Sequence, residues 1–232
     1  MTVKLYELAG ADEDLLFSPN CWRARMALAH KGLDVETVPW RFTEKDDIAF
    51  SGQGLVPVMV DGDTTVSDSW KIAHYLEDTY PDAPSLFGGE TGKALTAFYN
   101  NWPNGFLGGQ FVPLIITDVH ACLDDKDKSY FRESREKRFG KTLEEVGADP
   151  EAKVEGFRAA LTPLRMTLKT QPFLGGEQPL YADYTVFGMF MWARCTSPLS
   201  LLEADDPVHA WRERLLDAFG ELARRAKHVT AA

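Results

Sequence analysis

The run Phe17-Ser18-Pro19-Asn20-Cys21 puts a hydroxyl, a proline, an amide and a thiol within one turn at the start of a helical pattern. Ser18 suits the N-cap, and Pro19 the first helical position, where its missing N–H is not needed. The Ser18 hydroxyl either only caps the helix or also donates to an incoming sulfur. In the second case, donor and helix dipole together favour thiolate over thiol and pull a thiol pKa toward neutrality. Asn20 offers an alternative donor in the same turn. Cys21, one residue further round, reads as a small inward-facing apolar group, the common fate of a free cysteine.

Two further stretches bear on binding. In Leu55-Val56-Pro57-Val58-Met59-Val60 a proline opens a strand, which requires either an edge position with trans geometry or a cis Val56–Pro57 bond. The cis alternative turns the Val56 backbone outward, leaving its N–H and C=O free to pair with an extended peptide. Eleven positions on, Asp68-Ser69 directly precedes an apolar-periodic helix. Both are strong caps. The same helix end also suits a carboxylate, while Asp68 suits an ammonium beside it. A γ-glutamyl group carries both charges on one carbon.

The elements that must position these residues follow from periodicity. Strands are expected at Val3–Leu8, Val35–Pro39, Val56–Val60 and Thr64–Val66, the last two joined by the Asp61-Gly62-Asp63 turn. Helices are expected at Pro19–Lys31 and Asp68–Tyr80. This β-α-β, short helix or loop, β-β-α order is that of a thioredoxin-like domain. Pro81, Pro84, Gly88 and Gly89 then break the pattern, so a domain boundary is placed between residues 1–84 and 85–232. Only helical patterns follow: Lys93–Trp102, Lys128–Gly140, Glu151–Lys169, Tyr184–Cys195 and Val208–Ala226. The Gly- and Pro-rich stretch Asn101–Pro113 predicts an interruption after the first of them. The fold class is α/β plus all-α: a βαβαββα thioredoxin-like domain followed by a helical bundle.

Composition limits the function. A formal net charge of −10 argues against a nucleic-acid partner, which needs clustered Lys and Arg. Cys21, Cys122 and Cys195 form neither a disulfide framework nor a metal-ligand spacing, so no metal is expected and a reducing compartment is. No apolar signal segment opens the chain, and no run approaches the roughly 18 apolar residues of a membrane span. A cytoplasmic protein with no membrane partner is the expectation.

Taken in order and on the right elements, the three motifs make the chain similar to the cytosolic glutathione S-transferase superfamily over essentially its whole length. SPNCWRARMALAHKGL resembles the first-helix motif of the serine-type classes. VSDSWKIAHYLEDTYPDAPSLF, FLGGEQPLYADYTVFGMFMW and DDPVHAWRERLLDAF narrow the likeness to bacterial lignin β-etherases of the Ser-Pro type and related fungal glutathione transferases. The resemblance implies glutathione as co-substrate, a small hydrophobic electrophile as second substrate, and a homodimer. It implies Ser18 as thiolate partner with Asn20 as its rival, Val56 and Pro57 as backbone anchor, and Asp68 with Ser69 as γ-glutamyl site. Gln53 is a further implied glutathione contact.

Two departures matter. Leu180 stands where many transferases carry a Ser or Thr cap three residues before Asp183, so Asp183 is read as structural with a different local cap. Asn20 stands where the maleylacetoacetate-isomerase class carries cysteine, which argues against that chemistry. The second-substrate site is expected between the first helix and the interrupted one. Phe17, Trp40, Phe98, Trp102, Phe106, Phe111 and Trp192 are its aromatic candidates. His30 and His120 are read as structural or surface residues, and the charge runs at Asp124–Lys128 and Arg132–Lys141 as solvated faces. The competing functions are a non-catalytic carrier of hydrophobic ligands and a protein-interaction module on the same fold.

Overall fold

The computed structural model describes residues 2–230. Strands β1 (Val3–Leu8), β2 (Val35–Trp40), β3 (Val58–Asp61) and β4 (Thr64–Ser67) form one sheet in the order β2-β1-β3-β4. β1 and β2 run parallel, in register from Val3 opposite Val35 to Leu8 opposite Trp40. β3 and β4 add antiparallel. The parallel pair needs a crossover, and α1 (Pro19–His30) supplies it. A 3₁₀ helix (Lys45–Ser51) links β2 to β3, and α2 (Ser69–Thr79) follows β4. The expected thioredoxin-like order is therefore present. Strand β3 begins at Val58 rather than Val56, because Pro57 has no N–H to give a ladder.

The rest is helical: α3 (Glu90–Trp102), α4 (Gly108–Ala121), α5 (Asp125–Phe139), α6 (Leu143–Val146), α7 (Pro150–Ala160), α8 (Thr162–Leu168), α9 (Tyr181–Thr196) and α10 (Pro207–Glu221). Three expectations need correction. The interruption at Asn101–Pro113 is a widening, not a break. Pro103–Leu107 form a π turn between α3 and α4, which accommodates Pro103, and Pro113 then lies inside α4. The single helix expected over Glu151–Lys169 is two, α7 and α8. Pro163 has no N–H for the Ala159 carbonyl, and the Thr162 hydroxyl takes that carbonyl at 2.6 Å. Helix α10 kinks at Ala218, where Phe219 and Gly220 adopt left-handed backbone.

The sheet side and the helical side share one core. Helix α9 runs through its centre, and α1 packs most extensively on it. That approach is possible because residue 188 is glycine: a Cβ there would stand 2.3 Å from the Pro19 carbonyl oxygen. On its other face α1 is tied to β1, where Arg25 Nε donates to both carboxylate oxygens of Glu7 at 3.1 and 3.0 Å. The start of α1, and Ser18 with it, is thus clamped from both sides.

Asp183 explains how α9 begins without a Ser or Thr cap. It is fully buried, and its carboxylate accepts from the Leu174, Gly175 and Leu180 N–H groups at 2.7, 3.0 and 3.0 Å. The Trp211 indole donates to it at 2.8 Å. One acid therefore closes the loop before α9 and anchors α10. The expectation of a structural Asp183 holds in this geometry, with a local cap built on backbone donors.

Candidate active site

Ser18 is the N-cap of α1 and only 6% exposed; its hydroxyl oxygen accepts from the Cys21 N–H at 3.3 Å. One of its lone pairs is used by the cap, and its proton is free to donate. Cys21 is buried as expected, and burial pushes its thiol up to about 12. It stays a thiol at neutral pH and cannot compete as a nucleophile.

The Val56–Pro57 bond is cis. Among the described residues neither the Val56 N–H nor its C=O has a hydrogen-bond partner, while the Pro57 carbonyl accepts from the Asp68 N–H at 3.2 Å. This is the free backbone pair that an extended peptide requires. Ser18, Asn20 and Val56 open into one cavity of about 270 Å³ between β2, α1, α4 and α5. Pro57 is buried behind Val56.

Asp68 lies at the N-terminus of α2 and is exposed. Its Oδ1 accepts from the Trp70 and Lys71 N–H groups at 3.0 and 3.1 Å, leaving Oδ2 without a partner among the described residues. Its φ is 83°, a conformation that costs a non-glycine residue about 1–3 kcal/mol and clusters at binding sites. Ser69 is buried; its carbonyl accepts from the Tyr181 hydroxyl at 2.8 Å, and its own hydroxyl has no hydrogen-bond partner among the described residues. Tyr181 of α9 thereby fixes the start of α2. Gln53 sits in the loop before Val56, where its side-chain amide donates to the Leu55 carbonyl at 2.9 Å. Asp68, Ser69 and Gln53 do not line the Ser18 cavity. Gln53 precedes Val56 in the same loop, and the Asp68 N–H on the Pro57 carbonyl ties the start of α2 to that loop.

Sequence reasoning missed four cations. Arg23, about one turn into α1, is buried without a carboxylate partner among the described residues. It donates to the Asn104 side chain in the π turn at 3.1 Å, its Nε is unpartnered, and it feels the negative charge of Asp68. Burial lowers its pKa, but an arginine keeps its proton. It therefore adds positive potential behind the start of α1. Lys45 stacks over Trp40 at 4.8 Å and donates to the Gly54 carbonyl at 2.6 Å, beside the Gln53–Val56 loop. Arg135 and Arg138 of α5 line the cavity itself. The expectation that Arg132–Lys141 is a solvated face is thus corrected: the run lies on a helix one of whose faces roofs the site. The signal for this was Phe131, Arg135, Arg138 and Phe139, which recur at helical spacing.

The aromatic candidates divide. Phe17, Trp40 and Trp192 line the cavity, joined by Phe42, Phe131 and Phe139. Phe111 is core, packed edge-on against Phe157 and Phe190. Phe98, Trp102 and Phe106 stack along the outer face of α3 and the π turn, away from the cavity. A second space, lined by Asn20, Asn104, Gly108, Val112, Arg138 and Trp192, continues from the cavity past the π turn. His30 is held by the Tyr184 hydroxyl at 2.6 Å, in keeping with a structural role.

Comparison with known proteins gives one consistent answer. The family profile for the glutathione S-transferase C-terminal domain matches residues 94–219, and that for the N-terminal domain matches residues 17–79. A glutathione S-transferase-like protein from Aspergillus flavus is 33% identical over 144 residues, covering 54% of this chain and 49% of the relative. The chain spans about half the length, or less, of the first curated relatives it matches. Among solved structures, glutathione transferase GSTFuA3 from Phanerochaete chrysosporium superposes with a TM-score of 0.80 at 26% identity, covering 93% of this chain and 96% of that one. A glutathione S-transferase of Ceriporiopsis subvermispora, solved in complex with glutathione, shares the fold with a TM-score of 0.78 at 24% identity, covering 99% of each chain. No helix among the described residues is long and apolar enough to cross a membrane.

Proposed function

This chain belongs to the glutathione S-transferase family, and on that premise we propose that it ionises the thiol of glutathione at Ser18 and directs it at an aromatic electrophile. One observation carries the reading. The Ser18 hydroxyl opens into the same cavity as Val56, whose backbone N–H and C=O have no partner among the described residues. The cysteinyl unit pairs with Val56, which brings its sulfur within reach of Ser18. The γ-glutamyl ammonium meets the unpartnered Oδ2 of Asp68, and its carboxylate meets the Ser69 hydroxyl and the first turn of α2. Gln53 and Lys45 stand at the opposite, glycyl end.

The protein supplies no nucleophile of its own. A hydrogen bond from Ser18, the positive end of α1 and the buried Arg23 charge favour the thiolate. Asn20 is the second donor in the same turn. The sulfur then attacks an electrophilic carbon: the C–S bond forms as the bond to the leaving group breaks, and the electron pair departs with that group. Proximity and electrostatics carry the rate. Cleavage of a β-aryl ether is the sharpest version of this reaction, with the aromatic walls of the cavity taking the aryl rings.

In this reading residues 1–84 bind glutathione and residues 85–232 supply the acceptor pocket, in a cytoplasmic homodimer. The test is a turnover screen with glutathione against model aryl ethers and a generic aromatic electrophile, run beside retention on a glutathione resin. Conjugation or ether cleavage is expected. Retention without turnover on any electrophile would make the chain a carrier, and failure of both would leave a protein-interaction module.

A further inference from the structure

We propose that the second substrate carries an anionic group of the carboxylate class, bound by Arg135 and Arg138. The inference rests on the proposed function above and names the class of acceptor its pocket takes.

Three arginines on α5 set the contrast. Arg132 is engaged by two acids, donating to Glu136 at 2.9 Å and to Glu144 at 3.0 and 2.8 Å. Arg135 and Arg138, one and two turns on, form no ion pair among the described residues. The chain has ten more acidic than basic side chains (35 against 25), and Arg25, Arg41, Arg158, Arg165 and Arg224 all hold carboxylates; of the arginines that hold none, Arg135 and Arg138 are the two that line the Ser18 cavity. Arg135 instead lies between apolar rings, 4.7 Å over Phe131 and 5.6 Å over Phe42, and its one side-chain hydrogen bond is to the Ser134 hydroxyl.

The cavity the pair roofs contains no acidic residue, and neither does the space that continues from it past the π turn. Arg135 therefore has only the faces of Phe131 and Phe42 opposite its charge, Arg138 adds a second positive charge at the solvent side, and no carboxylate lines the chamber with them. Burial and Arg138 both act against the charge on Arg135. An arginine does not release its proton under such pressure, so the arrangement lowers its energy by taking in an anion. The planar fork favours a carboxylate over a compact anion.

The placement of the pair is fixed by the fold. Asp127, in the first turn of α5, is buried and accepts from the Phe42 and Thr43 N–H groups at 2.7 and 2.9 Å. That contact docks α5 on the strap after β2 and sets its inner face over the cavity. The glycyl carboxylate of glutathione has its own cation in Lys45, at the Gly54 side of the loop. Both α5 arginines share the cavity lining with Asn20, Val112 and Trp192, and Arg138 also lines the space past the π turn with them, which is the acceptor side in this reading.

The test is equilibrium binding of S-benzylglutathione and its 3- and 4-carboxybenzyl counterparts to the full chain, by calorimetry. At least one carboxylated conjugate should bind about tenfold or more tightly than the benzyl conjugate, the scale of one charge-assisted contact. In R138Q and in R135Q/R138Q that ratio should fall toward one. R138Q alone suffices if the double variant does not fold, since Arg138 is exposed. A wild-type ratio near one for both isomers, or a ratio that survives R138Q, overturns the inference and leaves the proposed function standing. An equal loss for all conjugates overturns it too, by assigning the arginines to glutathione itself. If no conjugate binds, the proposed function fails and the inference with it.

Discussion

Asp68 and Asp183 are the same residue type at the start of two helices, and the structure uses them in opposite ways. Asp183 is buried, and each of its oxygens accepts from two donors. Nothing remains for a ligand, and every bond it makes joins two parts of the fold. Asp68 is exposed, holds a left-handed backbone, and satisfies its two donors with a single oxygen. Its second oxygen and its charge are uncommitted. The difference teaches that a helix-start carboxylate is read by its spare hydrogen-bonding capacity rather than by its position.

Crossed substitutions test that contrast. Asp183→Asn has the largest expected effect. It sets an amide NH₂ against two N–H donors in a dry site and should cost more than about 2 kcal/mol. Urea unfolding followed by fluorescence should show the midpoint falling, while KM for glutathione stays unchanged per folded molecule. A variant with wild-type stability would remove the structural half of the comparison.

Next is Ser18→Ala, whose donor is the one aimed at the sulfur. Turnover should drop by about 10²-fold, the scale of losing one donor to a developing anion, with about 0.5–2 kcal/mol of stability lost with the cap. Asn20→Ala, run beside it, should cost less. If the Asn20 variant loses more, the two residues exchange roles.

Asp68→Asn is the converse of the first variant. Asparagine caps as well as aspartate, so stability should move by no more than about 0.5 kcal/mol. KM for glutathione should nevertheless rise about tenfold as the ammonium partner disappears. An unchanged KM would mean that Asp68 only caps.

The smallest effect belongs to Cys21. With its thiol held up at about 12, no inflection from it should enter the pH–rate profile at any pH where the protein is folded. Cys21→Ala should keep turnover within about twofold, and the native protein should resist iodoacetamide at this position by peptide mass mapping. Rapid alkylation of Cys21 with matching loss of activity would contradict the assignment of the thiolate chemistry to glutathione.

Much of this architecture was legible in the sequence because it is local. Alternating apolar residues place all four strands, and Ser18-Pro19 and Asp68-Ser69 mark two helix starts by their capping chemistry. What escaped is long-range. Pro163 is the local exception: it divides the helical pattern by withholding an N–H from the Ala159 carbonyl, which the Thr162 hydroxyl takes instead. Helix α5 as a whole is highly polar by composition, so Arg135 and Arg138 read as surface until Asp127 is seen docking that helix over the cavity. Phe98 and Trp102 on α3 and Phe106 in the π turn had the spacing of a pocket wall, but they stack on one another outside the Ser18 cavity. Arg23 gave no sequence signal, because its meaning depends on Asn104, 81 residues away.

Catalysis of the proposed kind requires that this chain lower the thiol pKa of glutathione through Ser18. The direct measurement is the thiolate absorbance of bound glutathione near 240 nm, titrated against pH in the wild type and in Ser18→Ala. The wild type should titrate well below the free-thiol value of about 8.5, and the variant should return to it. A wild-type curve that matches free glutathione, or a depressed curve that Ser18→Ala leaves in place, would contradict the claim.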